Sequence, residues 1–542
     1  MPPQSFFRQV FLSLSAERVA YALVLGIFFF LVLCPSLGLI VDFVYALMAG
    51  SLDLISPLLL SSRQGGLLLS SVGLAAAVAI VGVLIGILIV SALWSVSQKA
   101  LMAILLALLA LAGIPSYIHA LTWSAAITSL GEILPVVSPT GWAISFWVEL
   151  MALLPLAIFL SWVAFASVDS QLTDAGRVFK PDLEVFFTIQ LPLAAPALGA
   201  ALGFLFVICC SDYSVPSLFG ADVYALEIFA QYSASNIASQ ALLYALPLLI
   251  ITLVVMVSCR SGIRTLAQTP NWLVSRFGNP PQFPAYFRMV QTIAVVLVIA
   301  QIAVLFFGLV TTSGSWDTFV SSVSRAGNEL QFSLMTALLT ILISLPLALA
   351  AAYELKKPGL RGTLAWILVL VPLAIPAPLV GIGMISFWNG PLLAVPYPGL
   401  LMPVLVAVSR FAPIAAIILF VQLRFIDPLL FDAAAIFSKS QLKTWTHIRL
   451  PLLSPGLLVT AGILFALTLA ELGATLIVAP PGHATLTMRI YNYLHYGAAG
   501  EVAGLCLMIT ILTLIAGTGA ILSLRWLYNR SGAPQPVEEM RS

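Results

Sequence analysis

The sequence predicts an all-α, polytopic membrane protein of about twelve transmembrane helices arranged as two parallel six-helix repeats. Three observations carry that prediction. The 542-residue chain is 61% hydrophobic and only 8% charged, where an ordinary soluble domain has roughly 25% charged residues. Its apolar runs repeatedly reach the roughly 20 residues a helix needs to cross a bilayer. A short polar loop is also written twice, at Asp174 and again 258 positions later at Asp432, inside otherwise apolar halves.

Candidate spans fall near 20–41, 66–94, 100–120, 142–168, 193–214, 241–259, 289–311, 332–353, 364–388, 400–421, 452–476 and 502–524. Backbone groups in lipid must be bonded within the segment, so these are read as helices. The first run begins after Arg18 and is long enough to span, so it reads as an uncleaved helix. Between the halves, Arg260, Arg264, Arg276 and Arg288 surround the run Asn279-Pro280-Pro281-Gln282-Phe283-Pro284, the composition of a linker. The expected organisation is a first repeat at 1–259, a cytoplasmic linker at 260–288 and a second repeat at 289–542.

Lysine and arginine set the orientation. With the N-terminus in the cytoplasm, 19 of the 23 fall inside, only Arg63, Arg325 and Arg489 fall outside, and Arg410 lies within a span. Both termini and both copies of the loop are then cytoplasmic. An even number of spans per half, with both loops on one side, makes the repeats parallel, related by a pseudo-twofold axis along the membrane normal.

The repeat keeps register around the loop. Before it, Pro155 matches Pro413 and Ala157 matches Ala415; after it, Gly203 matches Gly462, Leu205 matches Leu464, Phe206 matches Phe465 and Asp212 matches Glu471. The first copy runs Asp174-Ala175-Gly176-Arg177-Val178-Phe179 and closes in Ile189-Gln190-Leu191-Pro192. The second runs Asp432-Ala433-Ala434-Ala435-Ile436-Phe437 and closes in Ile448-Arg449-Leu450-Pro451. A charged loop presented twice is a docking surface for a soluble partner.

Composition excludes several classes. A net charge of +2 gives no reason to expect nucleic acid, and the apolar surface calls for membrane lipid. The five cysteines lie in or beside apolar runs and form no C-x-x-C pair, so they read as small hydrophobes. The sequence has no G-x-x-x-x-G-K-[ST] phosphate loop, no H-E-x-x-H and no G-x-S-x-G motif, and its four histidines lack metal-ligand spacing. No cofactor, metal or catalytic residue is therefore assigned to this chain.

Ionisable groups inside a membrane usually face a cavity or each other. Asp212 and Glu471, 20 residues beyond Pro192 and Pro451, lie about 30 Å along their helices, in the outer half. They either attract a cation near the axis or bond a broken helix. Arg410 and Glu149 line the path or belong to structural pairs. Tyr117 and His119 follow the helix-breaking Pro115, where freed backbone can line a cavity, though a buried histidine can equally be a satisfied polar group.

The duplicated loop resembles the signature loop of permease subunits of ATP-driven importers, acidic-Ala-Ala followed by Gly and closing in Ile-x-Leu-Pro. The whole chain resembles the fused, double-length permeases of the ferric iron, thiamine and polyamine group, with support from Ile114-Pro115-Ser116-Tyr117 and Glu471-Leu472-Gly473-Ala474. It departs from the pattern at the family's glycine, which is Lys180 in the first copy and Ser438 in the second. The resemblance implies the fold of a type I importer permease. Each loop would form a short helix seated in a cleft of an ATPase, with Asp174 and Asp432 capping its start. Ala175, Gly176, Ala433 and Ala434 would allow close backbone approach, and Phe179 and Phe437 would serve as aromatic knobs.

The partners so implied are two copies of a cytoplasmic ATPase, which uses the ATP, and a periplasmic or lipid-anchored solute-binding protein, all at a bacterial inner membrane. Ferric iron leads as the expected cargo, with thiamine or a polyamine next. The alternative is a twelve-span secondary transporter driven by an ion gradient, which would need no ATPase.

Overall fold

The computed structural model describes residues 4–50, 60–131, 140–268, 281–390, 399–426, 429–430, 441–496 and 499–530, and every regular element among them is helical. In the first half these are α1 (Gln4–Met48), α2 (Ser62–Leu93), α3 (Gln98–Leu111), α4 (Ser116–Gly131), α5 (Trp142–Ala166), α6 (Ser170–Arg177), α7 (Asp182–Val185), α8 (Leu191–Ser211), α9 (Ser214–Leu218), α10 (Tyr224–Ser235), α11 (Ala238–Ser258) and α12 (Arg260–Gln268). The second half comprises α13 (Ala285–Ser313), α14 (Trp316–Arg325), α15 (Gly327–Leu355), α16 (Gly359–Leu373), α17 (Ala377–Asn389), α18 (Met402–Phe425), α19 (Gln441–Thr444), α20 (Leu450–Ala470), α21 (Thr475–Val478), α22 (Leu486–Tyr496) and α23 (Ala499–Arg530).

Among the described residues, ten helices are long and apolar enough to cross a membrane. Two bent pairs add one span each, Lys99–Leu111 with Ser116–Ser129 at 94° and Gly359–Leu373 with Ala377–Asn389 at 104°, giving up to twelve. The third and ninth spans, expected as single runs over 100–120 and 364–388, are thus each two helices. Pro115 and Pro376 stand at the two breaks. Proline offers no N–H and pushes the preceding residue out of the helical region, so the chain turns there. Leu69, Phe307 and Leu342 are among the large apolar side chains left exposed, as lipid-facing positions should be.

The halves repeat in detail. The Ser71 hydroxyl accepts from the Tyr224 N–H at 2.7 Å and the Ser333 hydroxyl from the Leu486 N–H at 2.8 Å, tying α2 to α10 and α15 to α22 in the same way. Both halves also widen into a π-turn, at Phe186–Gln190 and Trp445–Arg449, directly before the Leu-Pro pair. A proline cannot donate to the carbonyl four residues back and its ring crowds it, and a wider turn relieves both.

The first helices are exchanged. α1 packs on α15, α17 and α18 of the second half as well as on α11 of its own, and α13 packs on α2 and α4 of the first as well as on α23 of its own. Tyr21 donates to the Glu354 carboxylate at 2.6 Å and Ser409 donates to the Val32 carbonyl at 3.1 Å. On α13, Gln291 donates to Ser91 at 2.8 Å. Each half is therefore strapped by the other's leading helix.

Candidate functional site

The first copy of the repeated loop is a short helix and an exposed tip between α5 and α8. Asp169 caps α6, accepting from the Gln171 N–H at 2.9 Å. Asp174 was expected at the helix start, but it lies well inside α6, 3.6 Å from Arg177 one turn on. An acid two residues before Gln171 reaches a free N–H, and one five residues later cannot. Arg177 also pairs with Asp182 at 3.1 Å, holding α6 against α7.

Gly176 faces inward, contrary to the expectation that it serves a partner. A Cβ there would lie 2.4 Å from Ile189 Cδ1 and 3.5 Å from the Val185 methyls. Its smallness lets α6 sit on the π-turn of its own chain. Ala175 is exposed. Beyond it, Val178 and Phe179 are 76% and 86% exposed, an apolar tip that none of the described residues covers. Behind the loop, the residues that open α13 complete its support. Gln282 donates its N–H to Asp182, and Phe283 packs on Phe186 and Phe287 with ring centroids 5.9 and 4.9 Å apart. Asp432, Ala433, Ala434, Phe437 and Ser438 of the second copy lie outside the described residues.

At the far ends of α8 and α20 the chain breaks at equivalent acids. Asp212 accepts from the Ser214 N–H at 2.7 Å and hydroxyl at 2.6 Å, and from the Ser116 hydroxyl at 2.5 Å. Glu471 accepts from the Ala474 N–H at 2.8 Å. Each carboxylate thus accepts from a free N–H at the start of the short helix that follows the break. Glu471 also forms an ion pair with Arg410 of α18, which is within electrostatic reach of Asp212 as well.

The two breaks touch. The Tyr213 hydroxyl donates to the Gly473 carbonyl at 3.4 Å, and a Cβ on Gly473 would lie 2.8 Å from Ala377 Cβ at the start of α17. Four helix interruptions, at Pro115, Asp212, Pro376 and Glu471, converge where the halves meet.

Tyr117 and His119 are placed otherwise. Both are 1% exposed. Tyr117 lies in an apolar cluster with Leu111, Leu309 and Cys506. His119 Nδ1 lies 2.7 Å from Gln301 Nε2, and Gln301 also accepts from Trp123 at 2.6 Å and donates to the Met151 carbonyl at 3.1 Å. In this conformation these two residues pack α4 against α5 and α13.

Sequence reasoning also missed a charge inversion. Arg63 pairs with Glu227 of α10 at 2.9 Å, while Glu329 pairs with Arg489 of α22 at 2.6 Å. Glu227 and Arg489 each stand three residues after the residue held by Ser71 or Ser333, with opposite sign. The only available signal was that both are charged residues among apolar neighbours.

The chain belongs to the permease subunits of ABC importers, as a fused, double-length member. It is 30% identical over 205 residues to the molybdate/tungstate transport system permease protein WtpB of Pyrococcus abyssi, covering 37% of this chain and 78% of that one. It is 28% identical over 215 residues to PhnV of Salmonella typhimurium, named for 2-aminoethylphosphonate transport, covering 38% of this chain and 79% of the relative. The ferric transport system permease protein FbpB of Actinobacillus pleuropneumoniae matches at 23% identity over 402 residues, 68% of this chain and 56% of its own length. No family model matches the chain.

Proposed function

We propose that this chain is the translocation subunit of an importer that spends ATP on a separate protein. Two copies of a cytoplasmic ATPase bind the repeated loops, one on each repeat, the repeats being residues 1–259 and 289–542 around the linker 260–288. A periplasmic or lipid-anchored binding protein delivers a small solute at the other face, and alternating access carries it inward. The chain is a multi-pass protein of the bacterial inner membrane with both termini in the cytoplasm, the side favoured by its lysines and arginines.

The observation that carries this reading is the tip at Val178 and Phe179, which is apolar, exposed and braced from behind by Gly176, Ile189 and the aromatic group around Phe186. Such a rigid aromatic projection suits a pocket on a partner. The sequence supplies no phosphate loop of its own, so hydrolysis falls to the partner. Ferric iron is the leading cargo, in keeping with the relative that matches along most of this chain; thiamine and a polyamine come next.

The test is capture of the ATPase encoded beside this chain, followed by uptake in vesicles containing the purified complex. ATPase bound in a two-to-one ratio with ATP-dependent uptake supports the reading. A lone chain that accumulates solute on an ion gradient overturns it.

A further inference from the structure

The seam between α11 and α16 is one of the places where the halves meet, and it is pinned twice. The Thr252 hydroxyl donates to the Ala374 carbonyl at 2.7 Å, and Arg260 Nη2 donates to the Thr363 hydroxyl at 3.0 Å. Arg260 opens α12, which packs on α8, where a Cβ on Gly262 would lie 2.0 Å from the Pro196 carbonyl oxygen. At about 100° per residue, Gly262 and Arg260 stand on opposite sides of α12. The fit of the glycine against α8 therefore turns Arg260 onto the seam, on the side of the membrane that carries the repeated loop.

Arg260 is not satisfied there. Its Nε–H is buried without a hydrogen-bond partner, and among the described residues it forms no ion pair. Glu354, the acid near the end of α15, is taken by Lys357 at 2.5 Å and by Tyr21 at 2.6 Å. A guanidinium donor shut away from water with no acceptor is costly. Further cations lie on both elements: Arg264 stands one turn on along the same face of α12, and Arg361 is exposed in the first turn of α16. Residues 260–288 include four arginines and no acid. Beyond this charged end the seam is apolar. Ile250, Val254 and Val257 of α11 and Leu360, Leu364 and Ile367 of α16 are between 40% and 73% exposed. Each trio has the i, i+4, i+7 spacing of a single helix face. The stripes alone ask only for the bilayer; the charged end above them asks for a particular head group.

We propose that an anionic phospholipid occupies this seam, its phosphate held by Arg260 and Thr363 and its chains laid along the stripes of α11 and α16. The planar guanidinium matches phosphate geometry, and a small rotation of the half-buried Arg260 side chain gives its Nε–H an acceptor. Thr363 accepts from Arg260 and keeps its own proton for a phosphate oxygen. Basic pockets between membrane helices suit such head groups. Because α11 ends the first half and α16 belongs to the second, the lipid ties one half to the other. The site stands apart from the importer reading, since it depends on neither cargo nor ATPase.

The test measures lipid retention by the full chain. The purified protein in neutral detergent is offered a limiting, equimolar mixture of phosphatidylglycerol and phosphatidylcholine, and bound lipid is read by native mass spectrometry. One phosphatidylglycerol per chain should be retained in preference to phosphatidylcholine. Arg260→Gln should lower that preference by about fivefold, the scale of one arginine beside an anionic head group. Arg288→Gln, at an exposed position on α13 away from the seam, should leave it unchanged. Leu364→Trp crowds the path of the chains at an exposed position and keeps Arg260, so it carries the test by itself should Arg260→Gln not fold; it should reduce retention of phosphatidylglycerol. Excess glycerol phosphate, the head group without its chains, should displace nothing. Equal retention of the two lipids, a preference unmoved by Arg260→Gln, an equal loss in Arg288→Gln, full retention by Leu364→Trp, or displacement by glycerol phosphate would each overturn the proposal.

Discussion

Gly38 of α1 and Gly383 of α17 meet backbone to backbone across the two halves. A Cβ on Gly38 would lie 2.3 Å from the Gly383 carbonyl oxygen, and a Cβ on Gly383 would lie 2.2 Å from the Pro35 carbonyl oxygen. Small residues that let helices approach this closely supply much of the association energy available in lipid, where no hydrophobic driving force acts between helices.

Gly38→Val and Gly383→Val should therefore each destabilise the chain by about 1–3 kcal/mol, the usual cost of overpacking. The thermal midpoint of the detergent-solubilised protein measures this. Gly26→Ala on the same helix, with nothing within 4 Å of its added Cβ, should leave the midpoint in place. Equal behaviour of all three would mean that the crossing of α1 over α17 is looser than described.

At the loop, Phe179→Ala should weaken ATPase capture by about 2 kcal/mol, as loss of an aromatic anchor does, or roughly thirty-fold in affinity. Ala175→Arg, on the exposed face of α6, should act likewise by placing a charge in the interface, and Ala433→Arg should do the same in the second loop. Pull-down from membranes containing each variant gives the readout, with normal insertion as the control. Undiminished capture in all three would separate the loops from ATPase binding.

The Arg410–Glu471 pair should behave as a buried pair does. Arg410→Gln alone leaves Glu471 uncompensated and should cost about 3–5 kcal/mol. Adding Glu471→Gln should restore most of that stability, because both charges leave together. The neutral pair Asp212→Asn with Glu471→Gln should keep the ATPase bound yet lower uptake in reconstituted vesicles. Wild-type uptake by that last variant would confine both acids to holding the helix breaks.

The purified chain should hydrolyse ATP no faster than a membrane blank, and addition of the ATPase should bring activity that responds to the Phe179 and Ala175 variants. Phosphate release is the assay. Robust hydrolysis by the isolated chain would contradict the absence of a phosphate loop.

The sequence displayed the repeat plainly, because Pro155 and Pro413, Gly203 and Gly462, and the two Leu-Pro closures keep register over long stretches. It displayed Asp212 and Glu471 as partners for the same reason. It did not reveal which acid caps α6, since Asp169 and Asp174 are both short carboxylates in the same polar loop and only the backbone path tells the cap from the interior position. Gly176 read as a concession to a partner, though its near neighbour Ile189 lies 13 positions later in the same loop. The π-turns were hidden because a proline after leucine signals a helix start as readily as a widened turn. The exchange of α1 and α13 left no mark in hydropathy, since both helices are apolar on every side and carry no stripe naming their neighbours.

That exchange also imposes a timetable on biosynthesis. α1 is the first helix to leave the ribosome, yet Val32 accepts its hydrogen bond from Ser409, 377 positions later, and Tyr21 bonds Ala350 after 329. At about 5–20 residues per second, the wait lasts from some twenty seconds to more than a minute. Throughout it, α1 has α11 of its own half beside it, tied by the Ser239 N–H to Asp42 at 2.8 Å, but lacks α15, α17 and α18 and the acceptor of the Tyr21 hydroxyl. A ribosome that stalls within the second half strands a helix whose mate has not been made, so truncated products should be conspicuous to the membrane's degradation machinery even when their first six spans have inserted correctly.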